Sequence, residues 1–438
     1  MLKLLILVFY DKVLREKGEK RKMARSRRNK RVFKRIVEAI SWKTFFIVTS
    51  ILAVVIVVCL GSNVYRTNQE KKLLAQQREE LDKQIEDIFT DTVQNISDVN
   101  SKKRDSIITI SAVGDILCEN ELMEDAKQGK TYNFNPMFQN ITGFLKRSDI
   151  VLGTMETNFV EKEYSGFGLR NSPKEFADAV KNSGVNLVSI STNHSLDYGI
   201  SGLKQTKEYL QDIGYDTVGD NLGDSRVTIK TIKNTKIAFL SYTCVMEKQD
   251  KKKKNELEAA NLYSEKIAKE DLDYAKENAD FTFVIMHWGD AYATKPNKEQ
   301  EKIADFLIDN GANAILGNHS AAIQPMQVRK NKEGENVFIA YSLGNYICAD
   351  NNDTSKVELV LNIELRKSGE DGKVTLNKVD YTPIYMLDNG KDAQNRYELI
   401  DMKGVAKRYA SGEETNISKE TYNKLLDGLK LLQKVIEK

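Results

Sequence analysis

Residues 185–199 read VNLVSISTNHSLDYG, a run of strand-forming residues that ends in a polar turn carrying His194. FTFVIMHWGDAY (residues 281–292) likewise reaches His287 at the end of a strand-like run, and ANAILGNHSAAIQP (residues 312–325) reaches His319. These are the only three histidines in 438 residues. The carboxyl ends of strands in an open α/β sheet meet along the edge that forms the ligand crevice. The sequence therefore predicts that the three imidazoles lie close together.

Acidic and amide side chains occupy equivalent places after other strand-like runs. Asp115 ends IITISAVGD, Glu156 follows DIVLGTM, and Asn193 directly precedes His194. Imidazoles, carboxylates and an amide gathered in one place suit borderline or hard divalent cations. We expect one or two ions of Mn, Zn or Fe, bound by five ligands: Asp115, Glu156, Asn193, His287 and His319.

His194 has a different expected role, because it can stay off the metal. It would then act as the proton donor to a leaving group, or hydrogen-bond the substrate. Asp197, three residues later, is placed by sequence to orient the His194 ring. A dinuclear centre that activates water would suit hydrolysis of phosphoesters or related bonds.

Strand-like and helix-like segments alternate after Ser106, which indicates a layered α/β fold with helices covering a sheet. Residues 355–384 return to strand-like pieces, so we expect a mixed or doubled sheet. The last stretch, KETYNKLLDGLKLLQKVIEK, predicts an amphipathic helix that closes a core. We place the globular domain at residues 106–390 and a C-terminal helical tail at 391–438.

The N-terminal part predicts a membrane anchor. Residues 44–65 carry no charge and would span roughly 33 Å as a helix, which matches a bilayer core. The preceding 43 residues hold fifteen Lys and Arg against four Asp and Glu. The positive-inside rule then gives a single-pass cell-membrane protein with a cytoplasmic N-terminus and an extracellular C-terminal domain. A signal peptide is the alternative, but the stretch is long and lacks a small-x-small cleavage site.

Residues 66–105 predict a helical stalk and a polar linker, with apolar residues at heptad-like spacing. A homodimer through this short seam stays an open alternative. The basic tail favours contact with anionic membrane lipid over nucleic acid, because it adjoins the membrane helix. Met23 opens a sequence that resembles an ordinary basic start, so residues 1–22 are a candidate over-extension of the reading frame.

Two other features are left with alternatives. Cys59 lies in the membrane segment, and Cys118, Cys244 and Cys348 are interpreted as small buried thiols, with metal or redox roles as the alternative. The lysine-rich run KQDKKKKNELE that starts at Lys248 is either a solvated loop or an electrostatic lip that attracts an anionic polymer.

The succession VGDIL, TMET, GLRNSPKEFADAVKNSGVNLVSISTNHSLDYGISGLKQT, MHWGDAY, GANAILGNHSAAIQP and AYSLGN resembles the bacterial capsule-synthesis CapA family, which is associated with poly-γ-glutamate production. The likeness runs from about Ile108 to Ile347, over half of the chain. It implies a four-layer α/β sandwich similar to calcineurin-like metallophosphoesterases. It also implies a membrane-anchored chain with an exported catalytic-type domain.

The resemblance implies the same site residues and adds two substrate contacts, Arg170 of GLRNSP and Asn345 of YSLGN. An ordinary surface ion pair is the alternative for Arg170. Family members usually read His-Pro-His where this chain has Ala321 at the second imidazole, and they have Glu where it has Ala291. These departures would weaken metal binding or leave a single ion, unless Asp290 replaces the missing Glu.

The sequence thus predicts a CapA-like protein that acts in the synthesis, attachment or export of poly-γ-glutamate or another anionic capsule polymer, through a metal-dependent hydrolase or transferase site. Its expected partners are the polymer or its precursor and membrane-embedded capsule synthesis proteins. A non-catalytic polymer-binding subunit is one alternative. An exported metallophosphoesterase acting on a small phosphoester is the other.

Overall fold

The computed structural model describes residues 105–223, 225–349, 355–413 and 417–436. The predicted basic tail, membrane helix and stalk, up to residue 104, lie outside the described residues. None of the helices within the described residues is long and apolar enough to cross a membrane.

The described residues form sixteen strands. In chain order they are β1 Ser106–Ile116, β2 Lys127–Gln128, β3 Thr131–Tyr132, β4 Ile150–Met155, β5 Leu187–Ser189, β6 Asp216–Val218, β7 Thr228–Ile232, β8 Thr235–Thr243, β9 Phe281–His287, β10 Ala314–Asn318, β11 Met326–Lys330, β12 Asn336–Ala340, β13 Asn345–Ile347, β14 Val357–Lys367, β15 Val374–Asp388 and β16 Tyr397–Asp401.

Ten α-helices connect or cover these strands within the described ranges. They are α1 Asn120–Ala126, α2 Asn135–Phe138, α3 Thr142–Leu145, α4 Lys174–Ser183, α5 Gly199–Asp212, α6 Lys254–Ala259, α7 Glu265–Asn278, α8 Lys298–Asp309, α9 Met402–Ala410 and α10 Lys419–Ile436. A short 3₁₀ helix, Gln249–Lys251, precedes α6.

The strands form two mixed sheets and a small β2–β3 hairpin. The eight-stranded sheet has the order β16-β15-β14-β1-β4-β5-β6, and β13 pairs with β1 beyond a break in register. The six-stranded sheet has the order β11-β12-β10-β9-β8-β7. The strands β1, β4, β5 and β6 run parallel, as do β8, β9, β10 and β12. The carboxyl ends of each parallel group therefore share one edge.

The central strands are mostly apolar, as expected of strands whose two faces are both covered. In β9, Phe281, Phe283 and Ile285 point into the core between the two sheets, whereas Val284 and Met286 face the other way. This alternation is the two-residue period of a strand. The continuous run FTFVIMH is thus the signature of a strand buried on both sides.

Helices cover the outer face of each sheet. Phe176 of α4 and Leu203 of α5 pack in the core on the eight-stranded sheet. Leu272 of α7 and Leu307 of α8 pack on the six-stranded sheet. The order of layers is helix, sheet, sheet, helix, so the expected layered α/β architecture with a doubled sheet is confirmed.

The C-terminal helix α10 also packs into the core between the sheets. Its buried residues recur every three or four positions, which places them on one helical face. They are Tyr422, Leu425, Gly428, Leu429, Leu432, Val435 and Ile436. The apolar face therefore closes a core, as the sequence predicts.

Two glycines let β1 reach the site. A Cβ at Gly114 would lie 2.0 Å from the carbonyl oxygen of Gly344, and Gly344 itself has a φ of 70°. A larger residue at position 114 would push β1 and β13 apart. This close approach sets Asp115 level with Asn345 of β13.

Candidate metal centre

The predicted site residues come together at the carboxyl ends of strands from both sheets. Asp115 lies near the end of β1, Glu156 directly follows β4, and His194 lies in the turn after β5. His287 is the last residue of β9 and His319 follows β10. The eight-stranded sheet thus supplies the carboxylates and one imidazole, and the six-stranded sheet supplies the other two imidazoles.

Three buried side chains form the centre of the cluster. Asp115, Glu156 and His287 each offer one ligand atom, and these atoms lie within 4.8 Å of one another. His287 Nδ1 lies 3.5 Å from Asp115 Oδ1, and His287 Nε2 lies 4.0 Å from Glu156 Oε2. Two carboxylates and a ring nitrogen at this spacing are a donor set that Mn, Zn or Fe accepts.

Asn193 and His319 complete the expected ligand set around the same imidazole. Asn193 Oδ1 lies 2.9 Å from His287 Nε2, and His319 Nδ1 lies 3.2 Å from the same His287 Nε2 atom. The Asn193 Nδ2 group donates to Glu247 Oε1 at 3.4 Å, which turns the amide oxygen inward. Sequence reasoning missed Glu247, because nothing in its own segment marks a contact 54 residues away.

Burial shifts the ionisation of three cluster residues. It raises the pKa of Asp115 from 3.8 to about 7, although the His319 N–H and the Arg170 charge act in the opposite direction. Burial also lowers the pKa of His287 and of His319 to about 4. Both rings are therefore neutral at physiological pH, which is the form that binds a metal.

Several buried polar atoms of the cluster have no hydrogen-bond partner among the described residues. They are Asp115 Oδ1, His287 Nδ1, Asn318 Oδ1 and Asn345 Oδ1. Buried polar atoms are normally paired, and each unpaired one costs about 1–3 kcal/mol. Of these atoms, Asp115 Oδ1 and His287 Nδ1 lie 3.5 Å apart, and an oxygen and a ring nitrogen left without partners at this spacing fit a divalent cation.

Asn318 is a second residue that sequence reasoning missed. Its Nδ2 group donates to Thr154 Oγ1 at 2.8 Å, whereas its Oδ1 atom has no hydrogen-bond partner among the described residues. A signal was present in the sequence, because Asn318 precedes His319 just as Asn193 precedes His194.

His194 lies at the side of the cluster with its orienting partner. His194 Nδ1 is 2.8 Å from Asp197 Oδ2, and its Nε2 lies 3.8 Å from Glu156 Oε1. Since an ionised Asp197 only accepts hydrogen bonds, the Nδ1 atom carries the proton and Nε2 faces Glu156. The geometry agrees with the expected positioning of His194 by Asp197.

Arg170 lies inside the site. Its Nη2 atom is 3.6 Å from Glu156 Oε1, and its backbone N–H donates to Asp197 Oδ2 at 2.7 Å. Its side chain is 19% exposed, and the Nε and Nη1 atoms are buried without a partner within the described ranges. Arg170 is thus a partly buried ion-pair partner of Glu156, and its N–H groups without a partner in the described ranges suit an anionic ligand.

The two departures from the family pattern fall at exposed or strained positions. Asp290 is exposed, and its Oδ2 accepts a hydrogen bond from Asn297 at the start of α8, at 3.0 Å. The neighbouring Ala291 is exposed as well. His319 and Ala321 have φ values of 91° and 52°, a backbone region that side chains other than glycine rarely adopt. Strain of this kind concentrates at functional sites.

The described residues contain three cysteines, of which Cys118 and Cys244 are free thiols. Burial raises the pKa of Cys244 to about 12 and that of Cys118 still further. The Cys348 thiol donates to the Ser355 carbonyl oxygen at 3.4 Å. Thiols with raised pKa values carry little of the reactive thiolate, which agrees with a small buried thiol at Cys118, whereas Cys244 is only partly buried.

Two mixed sheets with buried carboxylates and imidazoles at their shared edge define an α/β protein with a candidate divalent-metal centre. Residues 109–350 match the family model described as bacterial capsule synthesis protein PGA_cap. The match covers more than half of the chain, and the chain belongs to this family.

Two curated relatives carry related descriptions. The chain is 27% identical to "Capsule biosynthesis protein CapA" of Bacillus anthracis over 60% of this chain and 65% of that protein. It is 26% identical to "PGA biosynthesis protein CapA" of Bacillus subtilis over 68% of this chain and 77% of that protein. The chain thus spans just under two thirds of the Bacillus anthracis relative.

Similar solved structures are distant in sequence. The calcineurin-like phosphoesterase YfkN from Bacillus subtilis is 14% identical with a TM-score of 0.41, over 76% of this chain and all of that one. The NAD nucleotidase of Haemophilus influenzae is 13% identical with a TM-score of 0.43, over 76% of this chain and 64% of that one.

Proposed function

We propose that this chain is a metal-dependent hydrolase or transferase that acts on an anionic capsule polymer during its synthesis, attachment or export. Membership of the capsule synthesis family supports a capsule polymer as the substrate. The observation that carries the chemistry is the buried group of Asp115, Glu156 and His287, whose potential ligand atoms lie within 4.8 Å of one another. Poly-γ-glutamate is the proposed polymer, because one relative is described as a PGA biosynthesis protein.

Five residues would hold the metal: Asp115, Glu156, Asn193, His287 and His319. A bound divalent cation would supply a water molecule of lowered pKa and polarise the bond under attack. Asn318 is a further candidate donor, since its amide oxygen is buried and has no partner in the described part of the chain.

The remaining residues of the site would bind the polymer and move a proton. Asp197 holds the His194 ring so that Nε2 faces the cluster, where a protonated ring would donate to the leaving group. Arg170 would pair with a carboxylate of the polymer through its free Nε and Nη1 atoms. Asn345 would contact the same substrate from the β13 side.

We further propose the cellular setting that the sequence predicts. Residues 44–65 would anchor the chain in the cell membrane, with a cytoplasmic basic tail against anionic lipid and the globular domain outside. Membrane-embedded capsule synthesis proteins would then be its partners, and a homodimer through residues 66–105 remains a secondary proposal.

Metal analysis of the purified chain tests the chemistry. Wild type should hold Mn, Zn or Fe in near-stoichiometric amount, and His287→Ala should lose both metal and turnover. His194→Ala is the matched control, since it removes the ring that we place off the metal: it should keep the metal and lose turnover.

If wild type holds no metal, and polymer binding still depends on Arg170, the chain is a non-catalytic polymer-binding subunit. That alternative gains support from Ala321, which replaces an expected imidazole.

A further inference from the structure

The lysine-rich segment after β8 lies against the turn that carries His194. We name residues 245–254 the lysine loop. The Glu247 N–H donates to the Asn193 carbonyl oxygen at 3.0 Å, and Lys252 Nζ donates to the Leu196 carbonyl oxygen at 2.5 Å. These two contacts hold the lysine loop beside the candidate metal centre.

The outer side of the lysine loop is cationic. From Lys248 to Lys254 the sequence has five lysines and one acidic residue. Lys248, Lys251 and Lys253 are exposed, and none of them forms an ion pair within the described part of the chain. Lys252 is used to hold the loop, and Lys254 pairs with Glu258 at 3.7 Å. Three ammonium groups therefore face solvent.

A further cation lies on the other side of the same turn. The Arg170 backbone contacts Asp197, and its guanidinium has two buried N–H groups without a partner among the described residues. The same turn, residues 193–197, thus contacts both Arg170, which is partly buried, and the lysine loop, which carries exposed lysines. A small anion at Arg170 would leave the exposed lysines unused, whereas a chain of regularly spaced anions could use both.

We propose that the lysine loop is a docking surface for the part of a polycarboxylate chain that extends beyond the metal centre. The inference rests on the proposed function, because it takes the reacting end of the polymer to lie at Arg170. Exposed lysines raise the local concentration of an anionic chain and speed its encounter with the site. The loop would therefore select long polymer over short fragments.

Binding of labelled polyglutamate to the full chain tests the docking surface. The triple variant Lys248→Gln, Lys251→Gln, Lys253→Gln should bind long polyglutamate about tenfold more weakly at low salt, and the difference should disappear at high salt. Its affinity for triglutamate should not change. The matched control neutralises three exposed lysines near the opposite ends of parallel strands: Lys146, Lys236 and Lys276.

Carbodiimide coupling locates the contact directly, because it joins polymer carboxylates to the lysine amines that they touch, with loss of water. Mass spectrometry should find polymer on the exposed lysines of the loop and little on the control lysines. Equal loss of affinity in both triple variants, or coupling spread evenly over the surface, would overturn the proposal. Metal content of the same samples tests the proposed function separately, since the loop lysines should not affect it.

Discussion

Replacing Asp115 with asparagine should stabilise the metal-free chain at alkaline pH. Burial raises the pKa of Asp115 from 3.8 to about 7. Ionisation of this carboxyl in the folded chain therefore lowers the free energy of unfolding. A carboxyl with a higher pKa in the folded chain loses its proton more readily when unfolded. Folding therefore becomes less favourable as pH rises from about 4 to about 7. The shift of about three pH units corresponds to about 4 kcal/mol above pH 7.

Asparagine has no charge to bury and fits the same contacts. Its Oδ1 would still accept the His319 N–H, which now donates to Asp115 Oδ2 at 2.7 Å. Its Nδ2 would replace Asp115 Oδ1, which lies 3.5 Å from the unpartnered His287 Nδ1. The substitution should thus recover up to about 4 kcal/mol of unfolding free energy at pH 8, and nothing below pH 4.

Denaturant unfolding of the chelator-treated chain at pH 8, 6 and 3.5 measures the difference. The control is Asp271→Asn, because Asp271 is also buried but is paired with Arg226 and with the Tyr242 hydroxyl. This variant should lose roughly 1–3 kcal/mol at pH 8. Adding metal at a thousand times its Kd should stabilise wild type by about 4 kcal/mol and remove the advantage of the asparagine variant. An asparagine variant less stable than wild type at pH 8 would refute the reasoning.

Three further outcomes follow from the geometry. Metal affinity should fall about tenfold for each pH unit below 7, because Asp115 must lose its proton to bind the metal. Calorimetry in buffers of different ionisation heat would detect the proton that is released. Asp197→Asn should lower kcat roughly 10–100-fold with unchanged metal content, because Asp197 orients His194 and holds the Arg170 backbone, and neither residue is a proposed metal ligand; normal kinetics would contradict this. Gly114→Ala should lower the free energy of unfolding by several kcal/mol and lower Tm, because the added Cβ would lie 2.0 Å from the Gly344 oxygen. The control Gly143→Ala should have little effect, because there is open space around Gly143.

The convergence of the site was predictable because it depends on strand ends. Each of His287, Asn193 and Glu156 follows a recognisable apolar run, and parallel strands bring such ends to one edge. The layered α/β class followed from the same alternation of segments. These features depend on local periodicity, which the sequence contains.

Long-range contacts of polar side chains were not predictable. Glu247 and Asn193 are 54 residues apart, and no local pattern indicates that a loop after β8 returns to the turn after β5. The burial of Arg170 also required the packed loop, because its sequence context GLRNSP alone is typical of an exposed turn.

The division of the ligands between the sheets has a mechanical consequence. Glu156 follows a strand of one sheet, and His287 ends a strand of the other. An ion bound by both residues would therefore cross-link the two sheets. Hydrogen exchange should then slow on both sides of the interface when metal is added. The supply of metal would in this way set the rigidity of the domain as well as its chemistry.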